Sequence, residues 1–236
     1  MCGRYATSRT SSQLERDFEA RLGDLHVEAE ADYNAAPTKP EPLVVGRRDE
    51  SGSWREVVTA RWGLIPSWAK DPSIGNKLIN ARSETVAEKP SFRRAFDSRR
   101  AVVPADGFYE WYQPQAGADG AKPRKQPFYL TGREGAGLGL AGIYEFWKDP
   151  EGTWVLSYSI LTTSAEGDDG RLHDRAPLLV PSGIGDAWLD RDVPGSQLLP
   201  ELVPATPGVL DAWPVSLAVN NVRNNGPELV EPIAAQ

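Results

Sequence analysis

One clear strand signal is the stretch Gly107-Phe108-Tyr109-Glu110-Trp111-Tyr112. In an extended strand, Glu110 shares one face with Phe108 and Tyr112, while the other two aromatic side chains point away from it. Further runs of β-branched and aromatic residues occur between turn residues, at 43–45, 57–59, 128–130, 138–147, 154–163, 178–180 and 215–219. Such runs are typical of β-strands, and the first two are predicted to pair around a turn at 49–53.

The same pattern predicts the fold class. Apolar spacing indicates one short helix near residues 12–22 and a second that starts at Pro90. Many short strands with few helices predict an α+β fold of largely antiparallel sheets, packed barrel-like with a few short flanking helices. No linker divides the chain, so we expect a single domain over 1–236, with an ordered core over about 2–223 and a loose C-terminal tail.

Composition narrows the class of protein. Of the 236 residues, 40% are hydrophobic and 25% charged, and no stretch approaches the roughly 18–20 apolar residues of a membrane span. We therefore expect a cytoplasmic protein (nucleoid-associated if bacterial) without a membrane partner. One cysteine and two histidines argue against a disulfide framework and a zinc site, so neither metal nor cofactor is expected. The net charge of −7 disfavours indiscriminate nucleic-acid binding but allows a local basic groove.

Cys2, the only cysteine, directly follows Met1. A small second residue generally permits removal of the initiator methionine, so we expect the mature chain to begin at Cys2. The free α-amine, which titrates at roughly 7.7–8.0, would then lie beside a thiol. Such an aminothiol condenses with an aldehyde to an imine and closes to a thiazolidine ring. The alternative is a terminal residue without a role.

Other residues are candidates for the same chemistry, each with a structural alternative. Glu110 is a proton shuttle if it is buried, or a strand glutamate that faces solvent. His173 is a proton donor near neutral pH, or a packing histidine. Asn80 and Arg82, two apart, could orient a carbonyl and grip a phosphate, or serve a hydrogen bond and a surface charge.

Taken together, these stretches resemble the SRAP (SOS response-associated peptidase) family, whose members sense abasic sites in single-stranded DNA. The matching stretches follow the family's order and cover most of the chain, at 1–5, 33–37, 62–68, 80–84, 104–111, 161–165 and 173–177. One departure is Ala176, where the family usually has methionine. Because Ala176 neighbours the motif histidine without replacing it, an effect on packing is expected.

The resemblance implies a mechanism and a partner. The Cys2 amine would form a Schiff base with the ring-opened abasic aldehyde, and its thiol would close the thiazolidine. Glu110 would move protons, His173 would assist at the sugar oxygen, and Asn80 would hold the reactants. Single-stranded DNA with an abasic site is the implied partner, and a monomer is expected. The DNA channel would be lined by Arg4, Asn34, Pro37, Trp68, Arg82 and Trp111.

Two other functions stay open at this point. Cys2 could be the N-terminal nucleophile of a thiol (auto)peptidase, with Glu110 and His173 as its acid–base partners. The chain could also be a non-covalent single-stranded DNA binding module in which Cys2 has no role. Schiff-base chemistry at an abasic site can lead to strand cleavage as well, so a lyase activity is a further expectation.

Overall fold

Two β-sheets account for most of the structure. A computed structural model describes residues 2–28, 30–112, 124–165 and 174–233. Its strands are β1 (Tyr5–Thr7), β2 (Ala20–Leu22), β3 (Asp32–Ala35), β4 (Pro40–Asp49), β5 (Gly52–Trp62), β6 (Asn80–Arg82), β7 (Arg100–Ala105), β8 (Gly107–Tyr112), β9 (Gln126–Thr131), β10 (Leu138–Lys148), β11 (Trp154–Ser164), β12 (Arg175–Leu179), β13 (Val203–Pro204) and β14 (Asp211–Pro214). Its α-helices are α1 (Ser11–Asp17), α2 (Arg93–Ser98), α3 (Gly185–Leu189) and α4 (Gly195–Leu198).

The sheets differ in shape. The smaller sheet is antiparallel, in the order β14-β9-β8-β1-β3. In the larger sheet, β10, β7, β4, β5 and β11 are neighbours in that order, and β11 pairs back onto β10, which closes a ring. The ring, the few short helices and the mostly antiparallel pairing confirm the predicted α+β, barrel-like fold.

Two local predictions hold in detail. Strands β4 and β5 form the expected hairpin, with Leu43 opposite Val58. In β8, Phe108 packs in the core between the sheets, whereas Tyr109 packs on the outer face with Tyr129 and Val215. Side-chain alternation along this strand therefore correctly predicted that Glu110 lies on the same face as Phe108.

Other boundaries were wrong. The first helix ends at Asp17 instead of continuing to residue 22, because Ala20–Leu22 leaves the helix to pair with β5. The packed chain also extends beyond residue 223, where we expected a loose tail. Leu229 is buried, and Pro232 forms a β-bridge with Val215. Within the described ranges, no helix is long and apolar enough to cross a membrane.

Candidate functional site

Cys2 lies between the two sheets at the start of β1. Strand β1 is flanked on both sides, since Tyr5 pairs with Phe108 of β8 and with Ala35 of β3. The Tyr109 amide donates to the Arg4 carbonyl at 2.9 Å, which continues the pairing towards Cys2. Cys2 is fully buried in the core cluster that the sheets share. Its position is therefore set both by the backbone pairing of the chain next to β8 and by packing of its side chain in this core.

Glu110 is brought beside Cys2 by the register of β1 against β8. Its side chain is only 4% exposed, and burial raises its pKa from 4.5 to about 7. Burial also raises the pKa of the Cys2 thiol, and the negative charge of Glu110 raises it further. At neutral pH the thiol is therefore protonated, while the carboxyl group populates both of its protonation states.

Asn80 reaches the same point from the larger sheet. It lies on β6, where it pairs with Ile160 of β11, and its Nδ2 donates to the Cys2 carbonyl oxygen at 2.7 Å. Its Oδ1 is buried and accepts no hydrogen bond from the described part of the chain. Ala81 packs into the opposite core, so Asn80 and Arg82 share the other side of the strand. Arg82 is exposed.

Arg4 lies beside this site within a polar cluster. Its Nη1 donates to Asn34 Oδ1 at 2.7 Å and to the Val219 carbonyl at 2.8 Å. Its guanidinium lies 5.9 Å from the ring centroid of Trp111, whose Nε1 donates to Asn220 Oδ1 at 2.7 Å. Burial lowers the pKa of Arg4. The cluster holds a cation next to Cys2.

Asn34, which is predicted to line the DNA channel, lies behind Arg4. It is fully buried, and its Nδ2 donates to the carbonyls of Asn221 and Asn224 at 3.1 and 2.9 Å. The amide of Asn34 is thus engaged in hydrogen bonds within the protein. Asn34 orients Arg4 and fixes the segment at 219–224.

The remaining predicted residues divide into exposed and undescribed ones. Trp68 is 58% exposed on a loop that follows β5, and Pro37 is partly exposed at the turn before β4. His173 lies outside the described residues. Arg175, two positions later, forms an ion pair with Glu84 at 2.9 Å. Ala176 is buried, in agreement with a packing role at this position.

Glu145 is an informative contrast to Glu110, because both lie among aromatic residues in strands. Glu145 is equally buried, at 4% exposure, but its Oε1 lies 3.4 Å from Arg99 Nη1 and accepts a hydrogen bond from the Phe146 amide at 2.9 Å. Neither carboxylate therefore faces solvent. Only Glu110 lies beside Cys2, and the sequence context alone does not distinguish the two.

Sequence reasoning missed a second buried carboxyl group, that of Glu41. Glu41 is 3% exposed, and burial, followed by the negative charge of Asp32, raises its pKa from 4.5 to about 8. Lys39 Nζ lies 2.5 Å from Asp32 Oδ2 and completes this cluster. The signal was present in the sequence, since alternation along β4 places Glu41 on the same face as Leu43 and Val45, both of which are buried.

Glu41 should make the stability of the protein depend on pH. A carboxyl group whose pKa is higher in the folded state than in the unfolded state makes the free energy of unfolding larger at low pH than at high pH. This difference is lost as the pH rises from about 4.5 towards 8. Between about pH 5.5 and 8, the wild type should lose on the order of 3 kcal/mol through this group. Glu41→Gln should lack this loss, which urea unfolding at the two pH values measures. Equal pH dependence in both proteins would contradict the assignment.

No cluster of three or more His, Cys, Asp or Glu side chains that could hold a metal ion occurs in the part of the chain that the structure describes. The site around Cys2 consists instead of one thiol, one buried carboxyl group, one amide and nearby arginines. This composition suits nucleophilic addition to a carbonyl compound with assisted proton transfer.

Comparison with known proteins identifies the class. The profile of the SOS response associated peptidase (SRAP) family matches residues 1–222, and the chain belongs to this family. The resemblance deduced from the short motifs is thereby confirmed over nearly the whole chain.

Individual relatives extend this result. The abasic site processing protein YoqW of Bacillus subtilis is 34% identical over 233 residues, which cover 98% of this chain and 99% of that protein. The abasic site processing protein HMCES of Gallus gallus is 33% identical over 271 residues, with 99% of this chain and 78% of that protein covered. The fold also matches a solved protein from Bacteroides thetaiotaomicron, with a TM-score of 0.82, 24% identity, and coverage of 98% of this chain and 100% of that one.

Proposed function

We propose that this protein forms a covalent cross-link between Cys2 and the ring-opened aldehyde of an abasic site in single-stranded DNA. The observation that carries the proposal is the position of Cys2 between the sheets, beside Glu110 and with its carbonyl held by Asn80. The names of the relatives, which are abasic site processing proteins, support the choice of substrate. The proposal requires that Met1 be removed, because only a free α-amine can condense with an aldehyde.

The reaction proceeds in two balanced steps. The α-amine of Cys2 adds to the aldehyde carbon, and loss of one water molecule gives an imine. The thiol sulfur then bonds to the imine carbon, and the thiol proton ends on the nitrogen, which closes a thiazolidine ring. The net change is one aldehyde and one aminothiol converted to one thiazolidine and one water. No oxidant or reductant takes part.

The electrostatics suit this order of events. The raised pKa of the Cys2 thiol keeps it protonated, so the amine is the first nucleophile. Glu110, with a pKa near 7, can accept the amine proton and return a proton to the departing water. Asn80 Oδ1, which is buried without a partner in the described ranges, can accept a hydrogen bond from the substrate or the amine. His173 would act at the sugar oxygen.

The DNA would be held by cations and aromatic surfaces around Cys2. Arg4 and Arg82 would contact phosphates, while Trp68, Trp111 and Pro37 would pack against bases or separate them. The net charge of the protein is −7, so its affinity for intact DNA would come from the few phosphates that these local cations neutralise. The lifetime of the complex would come from the covalent bond.

One experiment tests the proposal directly. Protein with a mass-verified Cys2 terminus is incubated with single-stranded DNA that carries one abasic site, and then denatured by heat. A slower-migrating band should form with this DNA, but not with intact DNA or with a tetrahydrofuran analogue, which has no aldehyde. Absence of the band, or a band of equal strength with the analogue, would refute the cross-link.

The same observations weigh against the two alternatives. A thiol peptidase needs a thiolate, and burial raises the pKa of the Cys2 thiol instead of lowering it. A purely non-covalent binding module would give no reason for a buried carboxyl group next to a terminal cysteine. Turnover of a peptide without DNA would restore the first alternative. Binding of intact DNA without any heat-stable product would restore the second.

Arg82 supplies a separate test of the DNA-binding surface. It is exposed next to Asn80, so its removal should weaken binding of intact single-stranded DNA without disturbing the fold. If it neutralises one phosphate, Arg82→Ala should reduce the slope of log K against log salt by about 0.7. Fluorescence anisotropy at several salt concentrations measures this slope. Arg48→Ala, at the far end of the β4–β5 hairpin, is the matched control and should leave it unchanged.

A further inference from the structure

A cavity that does not include Cys2 lies next to the loop that carries Trp68. Its volume is about 640 Å³, and most of its lining is apolar. The walls are formed by Leu25, Phe146 and Trp154, with Ser67, Arg94, Arg99 and Glu145 completing the lining. Trp154 is 63% exposed, so much of its ring is available to a ligand. An exposed aromatic surface in a concave site is suited to stacking of a planar group.

The charges around this cavity favour an anionic ligand. Arg99 is paired with the buried Glu145, and these two charges offset each other. Arg94 is exposed at the edge, and the ammonium group of Lys148 lies 5.6 Å from the ring centroid of Trp154. Arg94 is therefore a cation at the edge of an aromatic wall, on a protein whose net charge is negative, whereas Lys148 contacts the Trp154 ring and does not line the cavity. A base with its adjoining phosphate matches both features.

The backbone connects this cavity to the site around Cys2. The loop after β5 starts at Gly63, whose amide donates to the Tyr158 carbonyl at 2.8 Å, and ends near Ala69, whose carbonyl accepts from Trp147 Nε1 at 2.7 Å. Trp68 is exposed on this loop, next to Ser67 of the cavity. Strand β11 runs alongside, from Trp154 at the cavity to Tyr158 beside Cys2.

The spacing sets the length of DNA that would be needed. Four residues of extended strand separate Trp154 from Tyr158, which is about 13 Å at roughly 3.3 Å per residue. A stacked strand advances about 3.4 Å per nucleotide. The cavity therefore lies at least about four nucleotides from the reacting sugar, because Tyr158 is fully buried and the DNA has to pass over the surface.

A larger cavity lies near the turn of the β4–β5 hairpin. It is lined by more arginines, but it is a weaker candidate for a DNA-binding subsite. Its volume is about 930 Å³. Arg47 is paired there with Glu56, Arg48 with Asp192, and Arg55 with Asp186. Arg100 lies in the same wall but donates only to backbone carbonyls, including those of residues 96 and 188. A phosphate would have to displace existing partners at that site.

We propose that the cavity lined by Trp154 receives an unpaired base of the DNA strand that flanks the abasic site, with Arg94 contacting the adjoining phosphate. The proposal rests on the function proposed above and extends it to the bound strand. It adds a subsite that fixes the direction in which the strand leaves Cys2. Bases on only one side of the lesion should reach it.

The test uses single-stranded oligonucleotides with one abasic site and one 2-aminopurine, placed at successive positions on either side. Stacking quenches the fluorescence of this base. In the cross-linked complex, quenching should peak at least about four nucleotides from the lesion, on one side only. Trp154→Ala should abolish that peak. Uniform quenching at all positions, or a peak that persists in Trp154→Ala, would overturn the proposal.

A second measurement does not depend on the cross-link. Anisotropy with intact single-stranded DNA should show about tenfold weaker binding for Trp154→Ala and a smaller loss for Arg94→Ala. Arg93→Ala is the matched control, because Arg93 is an equally charged, exposed neighbour on α2 that does not line the cavity. Equal losses for the two arginine variants would contradict a specific contact. If no variant forms a cross-link but these differences remain, the proposed chemistry fails while the subsite stands.

Discussion

Cys2→Ala should abolish the heat-stable adduct with abasic DNA and leave a Schiff base that borohydride can trap. Alanine keeps the α-amine, so imine formation continues, but no thiol is available to close the ring. The imine hydrolyses on heating, whereas its reduced form is a stable secondary amine. Denaturing gels with and without borohydride, run on protein with a mass-verified terminus, separate the two outcomes. Because Cys2 is buried, removal of its sulfur atom leaves a small cavity and should lower the stability of the fold modestly.

Two results would contradict this expectation. A heat-stable band of wild-type strength from Cys2→Ala would mean that another residue carries the linkage. A variant that binds abasic DNA but yields no band even with borohydride would exclude attack by the amine. Thermal unfolding of the variant, compared with the wild type, serves as the control for folding.

Glu110→Gln should slow cross-linking about 100-fold at neutral pH, which is the usual contribution of a positioned general acid or base. The wild-type rate should rise as pH increases through about 7, because the deprotonated carboxylate accepts the amine proton. Glutamine cannot titrate, so the variant should keep only the rise at roughly 7.7–8.0 that comes from deprotonation of the α-amine. Single-turnover rates at saturating short oligonucleotide, measured from about pH 5.5 to 8.5, give both quantities.

Glu145→Gln is the matched control for this prediction. It replaces an equally buried strand glutamate that is paired with Arg99 and lies away from Cys2. With a saturating oligonucleotide that is too short to reach the cavity lined by Glu145, its cross-linking rate and pH profile should match those of the wild type. If Glu110→Gln reacts as fast as Glu145→Gln with the same profile, Glu110 has no role in proton transfer.

Local patterns predicted much of the fold. Alternation and turn residues were sufficient for the β4–β5 hairpin and for the facing of β8, because each depends on neighbours in sequence. The first helix was extended too far for the opposite reason. Residues 20–22 have a helical apolar spacing, but backbone pairing with β5 holds them extended. Such a pairing with a distant part of the sequence cannot be deduced from the apolar spacing of the helix.

The candidate site also depends on non-local pairings that the sequence patterns do not reveal. Cys2, Glu110 and Asn80 were selected from the sequence, but their meeting depends on pairings between β1 and β8 and between β6 and β11. The motif that contains Asn34 gave no indication of its hydrogen bonds, which go to a segment nearly 190 residues away. The Glu41 cluster was missed because Asp32 and Lys39 become partners only at the turn between β3 and β4.

The pairing of β1 with a strand on each side has a thermodynamic consequence for a nucleophile at the chain terminus. Chain ends are usually the most disordered part of a protein, and an amine on a disordered end must lose that freedom at each encounter with its substrate. Here the Cys2 carbonyl and the Arg4 backbone are already held by Asn80 and Tyr109. In the proposed reaction, this loss of entropy would occur once, during folding, and the Cys2 amine would meet the aldehyde at a high effective molarity.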